Sequence, residues 1–164
     1  MMVLRCAVIA LLLGLVACAT PSDDTGPKSS GPSTTGAESA DKARARIHTQ
    51  LAAGYYEIGN LAVALEEVKE ALRVDANYGP AHGIAGLVYA QLREDRLADQ
   101  SFQRALAINP GDSHTMNNYG LFLCERGQMD QAVKHFVAAV RNPFYANPGR
   151  AYVNAGICSR RSGN

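Results

Sequence analysis

The sequence repeats itself at a constant interval of about 34 residues, and this interval constrains the fold more strongly than any other feature of the chain. Small or apolar residues recur at this spacing in four separate registers. The registers are Ala64, Ala98 and Ala132; Val68, Phe102 and Phe136; Ala71, Ala105 and Ala139; and Ala52, Gly86 and Gly120. A period of this length predicts a stack of similar two-helix units, in which each unit buries its apolar face against its neighbours.

The residue types in these registers resemble the tetratricopeptide pattern of two antiparallel helices per repeat. The match is most specific in the second repeat, where the consensus positions hold Gly86, Tyr89, Ala98, Phe102, Ala105 and Pro110. Small residues let two helix backbones approach closely, and an aromatic ring fills the space beside them. We therefore predict an all-α tetratricopeptide-repeat solenoid with three full repeats and the first helix of a fourth. The alternative is a helical bundle whose apolar stripes recur by chance.

The same register predicts where the helices begin and end. The repeats are expected at about residues 45–78, 79–112 and 113–146, with a partial repeat at 149–164. First helices are expected near 42–58, 80–92, 113–126 and 149–161, and second helices near 61–74, 95–108 and 129–141. Asn164 falls at the turn before the next second helix. We therefore expect a truncated product or fragment, with a natural short form as the alternative.

Residues 1–17 have the pattern of an export signal. Arg5 supplies a positive charge before an apolar run from Ala7 to Val16. That run is too short to cross a bilayer core as a helix. We therefore expect a signal peptide that is removed and no permanent transmembrane helix.

The end of the apolar run resembles a bacterial lipobox. It reads Leu15, Val16, Ala17 and Cys18, which implies that Cys18 is acylated and becomes the first residue of the mature protein. Ala19 follows the cysteine, and by the sorting rule of bacterial lipoproteins this residue implies anchoring in the outer membrane, on its periplasmic face. The alternative is an ordinary signal peptide with an incidental cysteine.

Residues 18–40 differ in composition from the rest of the chain. They are rich in proline, glycine, serine and threonine and hold few apolar side chains, so they cannot bury enough surface to fold. We expect a disordered tether between the lipidated cysteine and a folded repeat domain at residues 41–164.

Two cysteines of the repeat domain, Cys124 and Cys158, are separated by the same repeat interval. This spacing places them on the first helices of neighbouring repeats, within reach of each other. Because an exported protein meets an oxidising compartment, we predict a disulfide between them. A pair of buried free thiols is the alternative, and a catalytic thiol is not expected because no base is placed beside either residue.

The remaining polar residues form no recognisable catalytic or metal-binding motif. His48 and His82 occupy the same repeat position and are expected to pack between helices, while His114 and His135 have no acidic or cysteine partner at ligand spacing. There is no nucleophile elbow or phosphate loop. A net charge of +1 without a basic stripe argues against nucleic acid. We predict a non-enzymatic binding protein without a cofactor, metal or small-molecule substrate.

Two segments, residues 117–124 and 151–158, go beyond the general repeat consensus. They read NNYGLFLC and AYVNAGIC, and they resemble the PilF/PilW family of outer-membrane lipoproteins, the pilotins and stability factors of type IV pilus biogenesis. The likeness covers most of residues 41–164. It implies a protein that binds the pilus secretin subunit and promotes its outer-membrane localisation and multimerisation. The alternative is a general tetratricopeptide scaffold lipoprotein in outer-membrane or cell-wall assembly.

The repeat geometry also predicts a concave groove lined by the first helix of each repeat. The predicted lining residues are Thr49, Ala53 and Tyr56, then Gly83, Leu87, Ala90 and Gln91, then Asn117, Leu121 and Cys124. The middle of this strip is small and apolar, which suits an amphipathic or extended apolar peptide. The alternative is that Leu87 and Leu121 only contact the adjacent helix.

Overall fold

A computed structural model describes residues 38–161, and within them it contains seven α-helices and no strands. The helices are α1 (Ala40–Glu57), α2 (Leu61–Val74), α3 (Gly79–Gln91), α4 (Asp95–Ile108), α5 (Ser113–Glu125), α6 (Met129–Val140) and α7 (Pro148–Arg161). Their ends differ from the expected ends by no more than two residues. The predicted all-α repeat architecture is therefore confirmed.

The helices pack as three successive hairpins followed by a single helix. α1 packs on α2, α3 on α4 and α5 on α6, while α3 also contacts both helices of the first hairpin and α5 contacts both helices of the second. α7 packs on α6 and α5. The first helices α1, α3 and α5 thus lie side by side, and their exposed faces form one surface of the stack.

The predicted signal peptide and Cys18 lie outside the described residues, as does most of the predicted tether. The tether prediction reached residue 40, whereas the structure begins α1 at Ala40 and caps it with the Ser39 side chain, which accepts a hydrogen bond from the Lys42 amide. No helix between residues 38 and 161 has the length and apolar character needed to span a membrane.

Side-chain caps and left-handed turns determine where the helices start and stop. Asn60 caps α2 and Asp112 caps α5 by accepting hydrogen bonds from backbone amides of the first turn. Gly59 and Gly127 make the turns inside the first and third hairpins with a φ of +77°. Arg93 makes the equivalent turn of the second hairpin at φ 63°, a conformation that costs a non-glycine residue about 1 kcal/mol or more.

In the core, small residues on one helix of a hairpin pack against bulky residues on the other helix. A Cβ atom added to Gly86 would lie 2.7 Å from the Phe102 ring, and one added to Gly120 would lie 2.7 Å from the Phe136 ring. Both phenylalanines are buried. These glycines therefore set the distance between the two helices of a hairpin, as the sequence pattern predicted.

Candidate functional site

The first helices enclose an open cleft of about 350 Å³, which we call the α1/α3/α5 cleft. Its lining residues are Arg46, Thr49, Gln50 and Ala53; Tyr78, Pro80, Gly83 and Ile84; and Asp112, His114, Thr115 and Asn118. The cleft lies near the amino-terminal ends of α3 and α5, so three successive repeats contribute to it. A volume of this size lies at the lower end of the range for ligand pockets in proteins.

The floor of the α1/α3/α5 cleft depends on Gly83. A Cβ atom at this position would lie 2.8 Å from Thr115 Oγ1, closer than such atoms can approach. The glycine therefore lets α3 and α5 come together beneath the cleft. Ala53, Pro80 and Ile84 surround it with apolar surface.

The polar rim on the α5 side is held in place by Asp112. Its Oδ1 atom accepts hydrogen bonds from the backbone amides of His114 and Thr115, at 3.0 and 3.1 Å, and its Oδ2 atom accepts from Thr115 Oγ1 at 2.7 Å. The His114 ring also contacts the edge of the Tyr145 ring, with centroids 5.1 Å apart. The rim is thus fixed by contacts inside the protein before any partner arrives.

On the opposite rim, Arg46 is exposed and its Nε atom donates a hydrogen bond to Glu38 Oε2 at 3.2 Å. Gln50 stands one turn further along α1, and Asn118 faces the cleft from α5. Amide side chains offer both a donor and an acceptor, which is the combination that a peptide backbone requires. The rim therefore provides charged and amide groups around an apolar floor.

Of the predicted groove residues, Thr49, Ala53 and Gly83 line the α1/α3/α5 cleft. Thr49 is buried, and its hydroxyl donates to the Ala45 carbonyl at 2.7 Å. The hydroxyl hydrogen is therefore already bonded within α1. Thr49 contributes to the shape of the cleft wall more than to hydrogen bonding with a partner.

Two further predicted residues, Ala90 and Gln91, line a separate cleft at the carboxyl ends of α3, α5 and α7. The other lining residues are Arg93, Glu125, Arg126 and Arg161, and the volume is about 370 Å³. Tyr56 is half-buried, and burial raises the pKa of its phenol, with a smaller contribution from the Glu125 carboxylate. Five of the ten predicted groove residues thus line one or the other of these two clefts.

Leu87 and Leu121 are partly buried and pack against the largest core cluster, which includes Phe102, Tyr119 and Phe122. Neither leucine lines the α1/α3/α5 cleft. Their placement corresponds to the alternative given above, in which they contact the adjacent helix. Contact of Leu87 or Leu121 with a partner protein stays a prediction.

Asn117 is placed between helices. Its side chain is only 3% exposed, and its Oδ1 atom accepts a hydrogen bond from Asn154 Nδ2 at 3.0 Å. Because a buried amide needs a partner, this bond fixes α7 against α5. Asn117 thus positions the fourth repeat in this structure.

The structure joins Cys124 of α5 to Cys158 of α7 by a disulfide, with Cα atoms 5.8 Å apart. Cys158 is completely buried and Cys124 nearly so. The Met129 Sδ atom lies 3.3 Å from the Cys158 sulphur and 3.8 Å from the Cys124 sulphur. Cys124 is therefore packed between helices and does not face the α1/α3/α5 cleft. Pairing of the two cysteines in the mature protein stays a prediction.

Several other titratable side chains make contacts inside the fold. His48 Nδ1 lies 2.7 Å from Glu67 Oε2, which links α1 to α2, and burial lowers the pKa of His135. The Tyr119 hydroxyl donates to Asp99 Oδ1 at 2.6 Å, and its pKa rises to about 12, mainly because of burial. Among residues 38–161 no group of three or more histidine, cysteine or acidic side chains could hold a metal ion.

Sequence reasoning missed one strong inter-repeat contact. Arg126 is only 15% exposed, and its guanidinium forms two hydrogen bonds with Asp95, at 2.7 and 2.8 Å. It also donates to the Ala90 carbonyl and lies over the Phe122 ring. Arg126 thus joins α3, α4 and α5. The pair is 31 residues apart, and no local motif marks it.

Most residues of the cleft rim were not predicted from the sequence, although their spacing follows the repeat interval. Two registers at the repeat interval line the α1/α3/α5 cleft in every repeat. They are Arg46, Pro80 and His114, and Gln50, Ile84 and Asn118. The residue types within each register differ, so a search for recurring types could not find them.

Comparisons with known proteins agree with this fold. The profile of the tetratricopeptide repeat family matches residues 101–134. The type IV pilus assembly protein PilF of Pseudomonas aeruginosa is 30% identical over 159 residues, which cover 96% of this chain and 60% of PilF. The chain thus spans about 60% of the length of this relative.

Two solved structures are similar to this one. The Pseudomonas aeruginosa PilF structure has a TM-score of 0.73 and 27% identity, over 76% of this chain and 56% of PilF. The structure of PilW, described as a widely conserved type IV pilus biogenesis factor, has a TM-score of 0.69 and 33% identity, over 73% of this chain and 55% of PilW.

Proposed function

Because this chain is a tetratricopeptide-repeat protein homologous to PilF and PilW over most of its length, we propose that it is a type IV pilus biogenesis factor that binds another protein of the pilus machinery. Homology to two proteins of this process is the observation that carries the proposal. The role is binding, without an enzymatic step, because repeat stacks of this kind present surfaces to partners.

The more specific proposal is an outer-membrane pilotin. The protein would bind the pilus secretin subunit and promote its localisation and multimerisation, while acylated Cys18 anchors it to the periplasmic face of the outer membrane. The lipobox and the proline-, glycine- and serine-rich tether support this location. The likeness of residues 117–124 and 151–158 to PilF/PilW sequences supports the partner.

The α1/α3/α5 cleft is the proposed binding site for a secretin segment. Its apolar floor, formed by Ala53, Gly83 and Ile84, can bury an apolar side chain, at about 25 cal/mol per Å² removed from water. The amides of Gln50 and Asn118 stand where they can bind the backbone of the same segment. These features fit an extended peptide with an apolar residue better than a highly charged tail.

The test compares secretin rings in a strain lacking the gene and in strains complemented with variants at equal expression. Ala53→Glu places a carboxylate on the cleft floor, where a bound apolar segment would have to remove its water. Ala62→Glu is the matched control, because Ala62 is exposed on α2, away from the cleft. We expect loss of rings without the gene and with Ala53→Glu, and normal rings with Ala62→Glu.

Two outcomes would contradict the proposal at different levels. Normal rings with Ala53→Glu would move the binding site out of the α1/α3/α5 cleft. Normal rings in the deletion strain would favour the general scaffold function in outer-membrane or cell-wall assembly. Leu87→Glu and Leu121→Glu are unsuitable variants, because both leucines pack against the core and a buried carboxylate would destabilise the fold.

A further inference from the structure

Helices α2, α3 and α4 enclose another open pocket, of about 330 Å³, which we call the α2/α4 pocket. Val68 and Ala85 lie at its floor, and both are buried. Leu72, Tyr89 and Leu97 add partly exposed apolar surface around this floor. The α2/α4 pocket shares no lining residue with the α1/α3/α5 cleft, so the two are separate sites.

One repeat later, the chain itself fills the equivalent space with an aromatic ring. Tyr119 follows Ala85 by 34 residues. Phe102 follows Val68, the other floor residue, by the same interval. The rings of Tyr119 and Phe102 stack on each other, with their centroids 5.2 Å apart. Because the same repeat geometry builds both places, the α2/α4 pocket is a space where alanine stands in the position of a phenol ring.

The groups around the Tyr119 ring also have equivalents in the α2/α4 pocket. The centroid of the Tyr119 ring lies 4.6 Å from that of the His135 ring, and Gln103 Nε2 donates a hydrogen bond to the Tyr119 hydroxyl at 3.3 Å. The residues one repeat earlier are Ser101 and Lys69, and both line the pocket. A ring bound there therefore meets apolar side chains below it and polar groups at its edge, as Tyr119 does.

The rim of the α2/α4 pocket is positively charged. Lys69 of α2 and Arg104 of α4 are exposed there, and none of the described residues that line the pocket is acidic. Lys69 Nζ lies 2.8 Å from a carboxylate oxygen of Glu66, whereas the Arg104 guanidinium donates to Asn77 Oδ1 at 2.6 Å. Asn77 is neutral, so this contact leaves the charge of Arg104 uncompensated. The rim therefore complements a segment that carries carboxylates.

We propose that the α2/α4 pocket binds an aromatic side chain of another protein, on a segment with acidic residues next to the aromatic one. The ring lies on Ala85, and the carboxylates lie beside Arg104 and Lys69. A protein segment fits better than a free small molecule, because the cations stand at the open rim, where the residues before and after an inserted side chain reach them. Aromatic side chains in pockets are common anchors of protein interfaces. The proposal does not depend on the pilus function.

The probes are blocked tripeptides with a tyrosine between two aspartates, an alanine between two aspartates, and a tyrosine between two lysines. Binding to the unreduced full chain is measured by NMR, from the shifts of the methyl signals of Val68, Leu72 and Leu97 as peptide is added. We expect saturable shifts with the first peptide and affinity about tenfold lower for the second, which lacks the ring. The third should also bind more weakly than the first, by a difference that decreases with added salt.

Two protein variants test the floor and the rim separately. Ala85→Tyr fills the pocket with the side chain that the next repeat carries, and it should abolish the methyl shifts while circular dichroism shows a folded protein. Arg104→Glu changes an exposed rim residue and should weaken binding of the first peptide about fivefold. Its matched control is Lys42→Glu, an exposed charge reversal on α1 outside the pocket, which should bind like the original protein. The rim variant keeps the test valid if Ala85→Tyr does not fold.

Three results would overturn the proposal. Equal affinity for the tyrosine and alanine peptides, or unchanged binding in a folded Ala85→Tyr variant, would show that the pocket does not receive a ring. Equal affinity of Arg104→Glu and Lys42→Glu for the first peptide would exclude the acidic segment. Binding of free p-cresol as tight as that of the first peptide would assign the pocket to a small aromatic molecule and not to a protein.

Discussion

The bond between Cys124 and Cys158 is expected to be a major contribution to the stability of the repeat domain. The two cysteines are 34 residues apart in sequence, and the closed loop contains all of α6 and most of α7. In the chain-entropy treatment, a loop of this length restricts the unfolded chain by about 4 kcal/mol at 25 °C. Folded domains are stable by only about 5–15 kcal/mol in total.

The perturbation is reduction of the bond in the mature protein, compared with the double variant Cys124→Ala/Cys158→Ala. Denaturant unfolding followed by circular dichroism should show a loss of about 4 kcal/mol in both cases, or a melting temperature lower by on the order of 15 °C. Hydrogen exchange should localise the change to α7, because the bond and the Asn117–Asn154 hydrogen bond fix this helix to α5.

Two controls separate the bond from other effects. Adding reductant to the double variant should leave its stability unchanged, which excludes an action of the reductant itself. Thiol titration of the unreduced, denatured mature protein should find no free thiol at these positions. Two free thiols would refute the pairing, and an unchanged unfolding midpoint after complete reduction would refute the energetic argument.

Three further predictions concern Cys18, Gly120 and Arg126. Cys18→Ser should remove acylation and lipoprotein processing, and a variant that still fractionates as a processed outer-membrane protein would show that the lipobox interpretation is wrong. Gly120→Ala should destabilise the fold by about 1–3 kcal/mol in denaturant unfolding, because its Cβ would overlap the Phe136 ring, whereas Gly54→Ala should not. The Arg126 guanidinium holds the pKa of Asp95 below its ordinary value, so this pair stabilises the fold above the ordinary carboxyl pKa, and the contribution is lost as pH falls through the lowered pKa. Stability of Arg126→Gln should therefore depend less on pH in the acid range, and an identical pH profile would contradict this.

The helical architecture could be predicted from sequence because similar packing contacts recur from repeat to repeat. Gly86 and Gly120 each meet a phenylalanine ring, and the alanines on the facing helices are completely buried. A position with the same neighbours in every repeat tolerates the same small set of residue types. The repeat interval therefore appears directly in the amino-acid sequence and predicts helix ends within two residues.

Contacts between different repeats were harder to predict. Arg126 binds Asp95 across the boundary between the second and third repeats, and Asn117 binds Asn154 across the next boundary. Each contact occurs once among the described repeats and depends on side-chain orientation at that boundary. The helix position of Asn117 therefore predicts a groove residue, although its amide is buried against α7.

The residues that line the α1/α3/α5 cleft also differ from one repeat to the next. Its lining positions recur at the repeat interval, but one register holds arginine, proline and histidine and the other holds glutamine, isoleucine and asparagine. Four of these six positions are exposed and are less restricted by packing, whereas Ile84 also packs against a core cluster. Constant residue types at the repeat interval therefore indicate the core, while residue types at exposed positions are free to differ. By this reasoning, exchanging Gln50 and Asn118 for apolar residues should alter partner binding and leave the unfolding midpoint nearly unchanged.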